Sequence, residues 1–271
     1  MMPARRQCSS RGGACGGWSS DGESVRHAKL VAAAGLVALP AVADDPLYVK
    51  NLSPVIGLFG LPAQRDAAPV PGWGADLHTS IANHYVLDLP ETEGLLLDGE
   101  ILRFAFDARY GVGDRWELQL EVPWLQHSGG NLDSVINRWH DLWGMPDGGR
   151  SDAEADVLDY RYRSAGAKFT LQDDASGLGD ITAALSYAFY RDETATASLA
   201  AGYKFGTGDE QDFLGSGGDD AWIAVRFSGD HLSSLPLAWH GQIGYLYADD
   251  SVLLGPEQNN NLWFAGLALD W

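Results

Sequence analysis

The segment from Trp116 to Trp124 constrains the fold most, because apolar and polar residues alternate along it without a break. A period of two residues is typical of a β-strand. One face carries Trp116, Leu118, Leu120, Val122 and Trp124, and the other carries Glu117, Gln119 and Glu121. An apolar face bordered by aromatic residues, backed by a charged face, is typical of a transmembrane β-barrel. A soluble β-sandwich strand shows the same alternation, so the rest of the chain has to decide.

The alternation recurs in seven further segments, which predicts eight strands in all. The eight segments are residues 75–89, 101–110, 116–124, 180–190, 194–206, 220–228, 236–248 and 261–271. Two connections are tight turns, at 111–114 and 191–193, whereas others are longer. Short turns at one end and longer loops at the other are typical of outer-membrane barrels. We therefore predict an all-β, antiparallel transmembrane β-barrel of about eight strands over residues 75–271, with both ends of the barrel domain in the periplasm.

The first part of the chain has a different character. Residues 29–43 are an apolar run ending in Ala-Val-Ala, which is typical of a secretory signal peptide and is too short to span a bilayer as a helix. We predict a leader and signal peptide over residues 1–43. Both cysteines, Cys8 and Cys15, lie in it, so no disulfide and no cysteine-bound metal is expected in the remainder. Residues 44–74 are too rich in proline for a central strand, and we predict a periplasmic arm or a lumen segment.

The charge of the chain excludes one class of partner. It has 18 Lys and Arg against 37 Asp and Glu, a net charge of −19 at pH 7. Nucleic acid is therefore not expected as a partner, because phosphate binding needs a basic surface. The acidic residues concentrate between the predicted strands, where solvated loops are favoured over a cation site.

Charged residues also lie on the predicted inward faces of the strands. If Tyr110 lies opposite Trp116, Arg109 faces Glu117, Asp107 faces Gln119 and Arg103 is diagonal to Glu121. The full predicted lumen cluster is Arg103, Asp107, Arg109, Glu117, Glu121, Lys204 and Arg226. A salt-bridge network that fills a narrow barrel is favoured, because small barrels are packed inside. The alternative is a polar path or binding site for a small solute.

The long loop 125–156 contains an amphipathic pattern. Its apolar residues, with helical spacing, are Leu132, Val135, Ile136, Trp139, Leu142 and Trp143. Such a helix would lie at the lipid interface or cover the barrel mouth. A substrate lid containing Trp139, His140 and Trp143 is the sharper alternative. The strand-like segment 160–171 is assigned to an outer-loop excursion, since counting it as a span would invert the sidedness of all later strands.

Enzyme activity is not expected. The only candidate cluster is His127-Ser128 with His140-Asp141, and adjacent residues of an extended chain point apart. His78 and His84 share a strand face but lie about 20 Å apart at roughly 3.3 Å per residue, so they cannot share a metal. We predict no catalytic residue, no cofactor and no metal site.

Several motifs resemble known families. The end of the chain, with Gly266, Leu269 and Trp271, resembles the signal by which outer-membrane barrels engage their assembly machinery. Residues 46–54, 139–150 and 176–181 resemble an uncharacterised outer-membrane family, domain of unknown function 3187. Gly-Leu-Gly-Asp at 177–180 and Tyr-Lys-Phe-Gly-Thr-Gly at 203–208 are similar to outer-membrane proteins linked to aromatic-compound degradation. These resemblances imply a barrel in the cell outer membrane, in contact with lipid.

The sequence therefore predicts an outer-membrane β-barrel that is a conduit for a small solute. One alternative is a structural or adhesive membrane barrel. The other is a soluble periplasmic β-sandwich that binds a ligand.

Overall fold

A computed structural model of the protein describes residues 45–88, 93–231, 235, 237–251 and 253–270. In these ranges the chain forms one antiparallel sheet of eleven strands, with one α-helix and short 3-10 turns. The predicted all-β class is confirmed. The described part of the chain has no helix that is long and apolar enough to cross a membrane. The predicted leader and signal peptide, 1–43, and Trp271 lie outside the described residues.

Eight long strands and three short ones make up the sheet. The strands are β1 (Trp73–Asp88), β2 (Gly94–Val112), β3 (Trp116–Ser128), β4 (Asp159–Arg163), β5 (Lys168–Leu171), β6 (Ala175–Leu178), β7 (Ile181–Arg191), β8 (Ala195–Phe205), β9 (Asp220–Gly229), β10 (Ala238–Ala248) and β11 (Asn261–Asp270). The eight long strands coincide with the eight predicted segments. The helix α1 (Asp133–Trp143) lies in the long connection between β3 and β4, where its amphipathic pattern predicts it.

The long strands follow one another as antiparallel neighbours, in the order β1, β2, β3, β7, β8, β9, β10 and β11. The segment 160–171 forms the β4–β5 hairpin, which pairs with the start of β2 and does not add a long strand. The turns at 113–115 and 192–194 are tight, whereas 129–180, 206–219 and 249–260 are long connections at the opposite end of the sheet. Among the described residues, β1 pairs with β2 alone and β11 with β10 alone.

One face of the sheet exposes apolar side chains and the other buries charged ones, which is the reverse of the pattern in soluble proteins. On β3, Leu118 is 50 % exposed and Leu120 is 44 % exposed, while Glu117 and Glu121 are buried. Large apolar side chains are exposed on one face of the other long strands too, namely Leu77, Ile81, Phe106, Leu185, Leu199, Ile223, Phe227, Ile243 and Leu267. Soluble proteins bury such residues and expose charged ones. The sheet therefore has an apolar outward face and a polar inward face.

Aromatic pairs stand on the outward face near both ends of the strands. They are Trp73–Tyr110 and Trp116–Tyr187 at the end with the tight turns, and Tyr203–Phe205 and Tyr245–Trp263 at the other end. Their ring centroids lie 4.6 to 5.3 Å apart. Aromatic residues thus border the exposed aliphatic residues of the outward face near both ends of the strands.

Residues 45–72, called here the plug segment, lie against the inward face. The Tyr48 ring stacks on His78 of β1 at 3.7 Å. At the other side of the sheet, the Gln64 amide donates a hydrogen bond to the backbone carbonyl of His240 on β10, at 2.7 Å. One short segment thus contacts strands near both edges of the sheet, so the sheet curves around it. The plug segment therefore lies in the hollow lined by the polar inward face of the sheet, called here the lumen.

The plug segment joins β2 where it leaves the lumen. The Gly111 N–H donates a 2.8 Å hydrogen bond to the Gly72 carbonyl. A Cβ atom at position 111 would collide with the carbonyl oxygen of Val70. Glycine is therefore required there, because the two backbones approach too closely for a side chain.

Candidate functional site

The β2–β3 hairpin corrects the predicted register by two residues. Val112, not Tyr110, lies opposite Trp116, so Asp107 faces Glu121 and Arg109 faces Gln119. The predicted pairs Arg109–Glu117 and Asp107–Gln119 across the hairpin are wrong as directly opposed positions. The reason is the turn: β2 continues to Val112, and the chain reverses over 113–115, where Gly113 adopts a φ of +61°. A turn at 111–114 would have ended β2 too early.

The observed register sets two carboxylates directly opposite each other, and the plug segment supplies cations to them. The Arg65 guanidinium pairs with Asp107 at 2.7 Å, and the Lys50 ammonium lies 3.5 Å from Glu121. The predicted contact between Arg103 and Glu121 forms at 2.6 Å, although Arg103 lies opposite Leu125 and is not diagonal to Glu121. Like charges facing each other across a sheet destabilise it unless cations intervene. The plug segment is therefore part of the electrostatic balance of the lumen.

Tyr48 ties these groups together. Its hydroxyl accepts a hydrogen bond from Arg103 at 2.8 Å and donates one to Glu121 at 3.1 Å. Burial and the neighbouring Glu121 carboxylate raise the pKa of the Tyr48 hydroxyl, so it keeps its proton and remains a donor. The Arg65 guanidinium also lies over the Tyr48 ring, 5.3 Å from the centroid. Tyr48 thus contacts both halves of the charge cluster.

At the end with the tight turns, Arg109 holds the start of the plug segment. Its guanidinium pairs with Asp45 at 2.5 Å and with Asp76 at 2.8 Å. Glu117 accepts a hydrogen bond from the Val70 N–H at 2.9 Å. A polar cavity of about 450 Å³ adjoins Arg109 and is also lined by Asp66, Arg191 and His240.

Lys204 belongs to a second network near the long loops. Its ammonium donates to Asp180 at 2.7 Å, to the Ser216 hydroxyl at 2.5 Å and to the Gly218 carbonyl at 2.9 Å. Asp220 lies 3.4 Å away and accepts a 2.7 Å hydrogen bond from the N–H of Gly60 in the plug segment. The plug segment therefore meets buried charges at both ends of the lumen.

Arg226 is the remaining residue of the predicted cluster. Within the described ranges it forms no ion pair with either network. It is 2 % exposed, and its guanidinium lies 5.6 Å from the centre of the Trp222 ring. The structure thus brings five of the seven predicted residues together, namely Arg103, Asp107, Arg109, Glu117 and Glu121. Sequence analysis missed Tyr48, Lys50 and Arg65. The available signal was the placement of two cations in a proline-rich apolar segment of a strongly acidic chain.

The helix α1 lies outside the sheet wall. Asn83 is on the outward face of β1, two residues beyond Ile81, and its amide donates a 2.8 Å hydrogen bond to Asp133 at the start of α1. Arg150 contacts both Asn83 and Asp133. The helix ends at Gly144, which adopts the left-handed conformation. These contacts do not bring the predicted lid residues Trp139, His140 and Trp143 to the lumen charges.

The attachment of α1 depends on an ionised Asp133. Burial raises the pKa of this carboxyl, but the Asp156 N–H, Asn83 and Arg150 outweigh burial, and the net pKa lies below its usual value. A lowered folded-state pKa stabilises the attachment above the ordinary aspartate pKa, and this stability is lost as pH falls through the lowered value. We expect the loop to lose about 1.5–3 kcal/mol on acidification, the contribution of a charged hydrogen bond.

Hydrogen–deuterium exchange of residues 133–143, corrected for the intrinsic pH dependence of exchange, measures this loss. Asp133→Asn should exchange rapidly at neutral pH and show little further change in acid. Equal protection of the wild-type helix at neutral and acidic pH would contradict the assignment.

The remaining predicted positions are also located. Gly266 faces the plug segment, where a Cβ atom would lie 2.8 Å from the Gln64 side-chain oxygen, and Leu269 is on the outward face. Within the described ranges, no group of three or more His, Cys, Asp or Glu side chains is arranged to hold a metal ion. His127 contacts the carbonyl of Phe213 at 2.9 Å, within a cluster of aromatic rings.

Comparison with known proteins finds one family. The model of the family described as "Protein of unknown function (DUF3187)" matches residues 27–271. No curated protein and no solved structure matches the chain.

Proposed function

This chain belongs to the DUF3187 family of proteins of unknown function, and we propose that it is an outer-membrane β-barrel protein with a lumen closed by its own plug segment. We propose further that a small polar solute passes through the lumen when the plug segment is displaced. In this proposal the protein is a conduit and not an enzyme.

The observation that carries the proposal is the reversed burial of the long strands. Aliphatic and aromatic side chains occupy the exposed outward face, while Arg103, Asp107 and Glu121 are buried inside. Burying one large apolar side chain contributes about 1.5–3 kcal/mol in water, and this face leaves many of them exposed. The penalty disappears when the surrounding medium is hydrocarbon. A bilayer is therefore the solvent that suits this sheet.

The backbone and the aromatic residues support the same medium. Neighbouring antiparallel strands satisfy one another's N–H and C=O groups, which hydrocarbon cannot do, and the proposed barrel requires the outer edges of β1 and β11 to pair with each other in the same way. The aromatic pairs near both strand ends fit the two bilayer interfaces. The tight turns would then lie on the periplasmic side and the long acidic loops outside the cell.

The lumen supports a conduit because its wall is ionic. The plug segment is held by Arg65, Lys50 and Tyr48 on one side and by the Gly60–Asp220 hydrogen bond on the other. Charged and polar contacts can be exchanged for water or for a polar solute, whereas a fully apolar core cannot be opened in this way. Displacement of the plug segment would leave a charged channel.

Two alternatives remain for the test. A structural or adhesive barrel would share the sheet but stay sealed under all conditions. A soluble periplasmic β-sandwich would need two sheets packed face to face, whereas the described strands form one sheet.

Membrane insertion is tested by the migration of the purified protein in detergent before and after boiling. We expect the unboiled protein to migrate faster and the vesicle-bound protein to resist carbonate extraction. Release into the supernatant as a monodisperse species would overturn the membrane assignment and favour the soluble alternative.

Conduction is tested separately in liposomes loaded with a small dye. Liposomes with the wild-type protein are expected to retain the dye, and those with Arg65→Ala to release it because the plug segment loses its main anchor. If liposomes that contain the correctly folded Arg65→Ala protein retained dye and ions, a structural or adhesive barrel would explain the protein better.

A further inference from the structure

We infer that α1 is an interfacial anchor, which lies in the boundary between lipid headgroups and acyl chains against the outside of the barrel wall. This inference rests on the proposed membrane location of the sheet. It assigns a lipid surface, not the lumen or a substrate, as the partner of the longest loop.

The free face of α1 is apolar. Val135, Trp139, Leu142 and Trp143 are 58 %, 55 %, 72 % and 63 % exposed. Their spacing places them on one side of the helix, and the rings of Trp139 and Trp143 lie 5.6 Å apart. Four large apolar side chains on one exposed face mark a surface that another medium covers.

The opposite side of α1 fixes the direction of this face. Asp133 is buried and bonded to Asn83, whose side chain points to the outward side of β1. Tyr85, also on that side, donates a hydrogen bond to the Gly149 carbonyl at 3.3 Å. The loop therefore lies against the outward side of β1, the side that also carries the exposed Leu77 and Ile81.

Polar residues replace apolar ones on the outward faces of β1 and β2 at the height where α1 is attached. Ile81 lies opposite Leu102, and two residues further Asn83 lies opposite Glu100. Glu100 is only 9 % exposed, because the loop covers it: a Cβ at Gly130 would lie 2.5 Å from its carboxyl carbon. The apolar band of the wall is thus interrupted by polar residues where α1 is attached, and Leu87 beyond them is again 50 % exposed. Tryptophan and a polar–apolar helix suit this zone of a bilayer.

Single-cysteine spin labels test the position of α1 in the full protein, reconstituted into phosphatidylcholine vesicles. The background carries Cys8→Ser and Cys15→Ser, which removes both native thiols. The reporter is Leu142→Cys on α1. Leu118→Cys, on the outward face of β3, is the membrane control, and Gln211→Cys, exposed in the loop 206–219, is the water control. Collisions with oxygen report on lipid, and collisions with a water-soluble nickel complex report on water.

We expect Leu142→Cys to resemble Leu118→Cys, with a several-fold preference for oxygen over the nickel complex relative to Gln211→Cys. If Leu142→Cys resembles Gln211→Cys while Leu118→Cys reports lipid, the barrel stands and the anchor is wrong. Dipolar broadening between labels at position 142 would show that a second copy covers the helix, which also overturns the inference. If Leu118→Cys itself reports water, the proposed membrane location fails.

Discussion

Replacing Arg65 with alanine is expected to destabilise the folded protein by about 3–5 kcal/mol, the loss that follows when one partner of a buried ion pair is removed. Asp107 is fully buried and lies 2.7 Å from the Arg65 guanidinium. Gln119 also donates to Asp107, at 2.5 Å, but it carries no charge, and the remaining cation, Arg109, is farther away, with its Nε 3.6 Å from the carboxylate. Asp107 would then face Glu121 across the hairpin with fewer cations between them. Urea titration followed by the migration of folded and unfolded protein measures the loss.

The matched control is Arg161→Ala. Arg161 pairs with Asp159 at 2.6 Å but is 55 % exposed, so its loss should change the stability by less than about 1 kcal/mol. The double variant Arg65→Ala/Asp107→Asn should lose less than the sum of the single variants, because it no longer buries a carboxylate that lacks its closest cation. Additive losses would show that Arg65 and Asp107 are not coupled, against the observed geometry.

Lys204→Met is expected to have a similar effect, again about 3–5 kcal/mol. The change removes a cation from a site where it is 2 % exposed and close to both Asp180 and Asp220. Methionine keeps most of the side-chain length, so the loss reports charge and hydrogen bonding more than volume. The Asp220 carboxylate also holds Gly60, so the plug segment should become more accessible to proteases. Limited proteolysis and urea titration measure the two effects.

Lys168→Met provides the same chemical change at an exposed position of β5 and should be nearly neutral. Adding Asp180→Asn to Lys204→Met should restore part of the stability. A Lys204→Met protein as stable as the wild type would show that the two aspartates do not need the ammonium.

The sequence predicts the eight long strands because a sheet with one apolar and one polar face requires alternation at every position. The segment of β4 and β5 is strand-like in the sequence but was assigned to a loop excursion, and β6 was not predicted, since these short strands extend the sheet beyond the long ones and their faces are not under the same requirement. The hairpin register was wrong because a two-residue shift preserves the alternation: every side chain keeps its face. Only the geometry of the turn at Gly113 distinguishes the two registers.

The charge cluster was half predictable for a related reason. Inward parity identifies Arg103, Asp107 and Glu121, but their partners Lys50 and Arg65 come from a segment without strand periodicity. Parity cannot assign a face to such a segment. The sequence could not identify these cations as partners because they are distant in the chain from the carboxylates, not because the ion pairs are weak.

The position of α1 was hidden in a different way. Its spacing predicts an amphipathic helix, yet amphipathicity does not say which side of a wall the helix occupies. The sequence did hold one signal, the polar Asn83 among the outward apolar residues of β1. The structure explains it as the attachment point for Asp133.

The plug segment runs without a break into β1 at Trp73. Any displacement of this segment from the inward face of the sheet would therefore be that of a tethered body, which cannot diffuse away. Its return would be a unimolecular event with an effective local concentration in the millimolar range, as for short flexible linkers. The rate of this return would then be independent of the concentration of the protein.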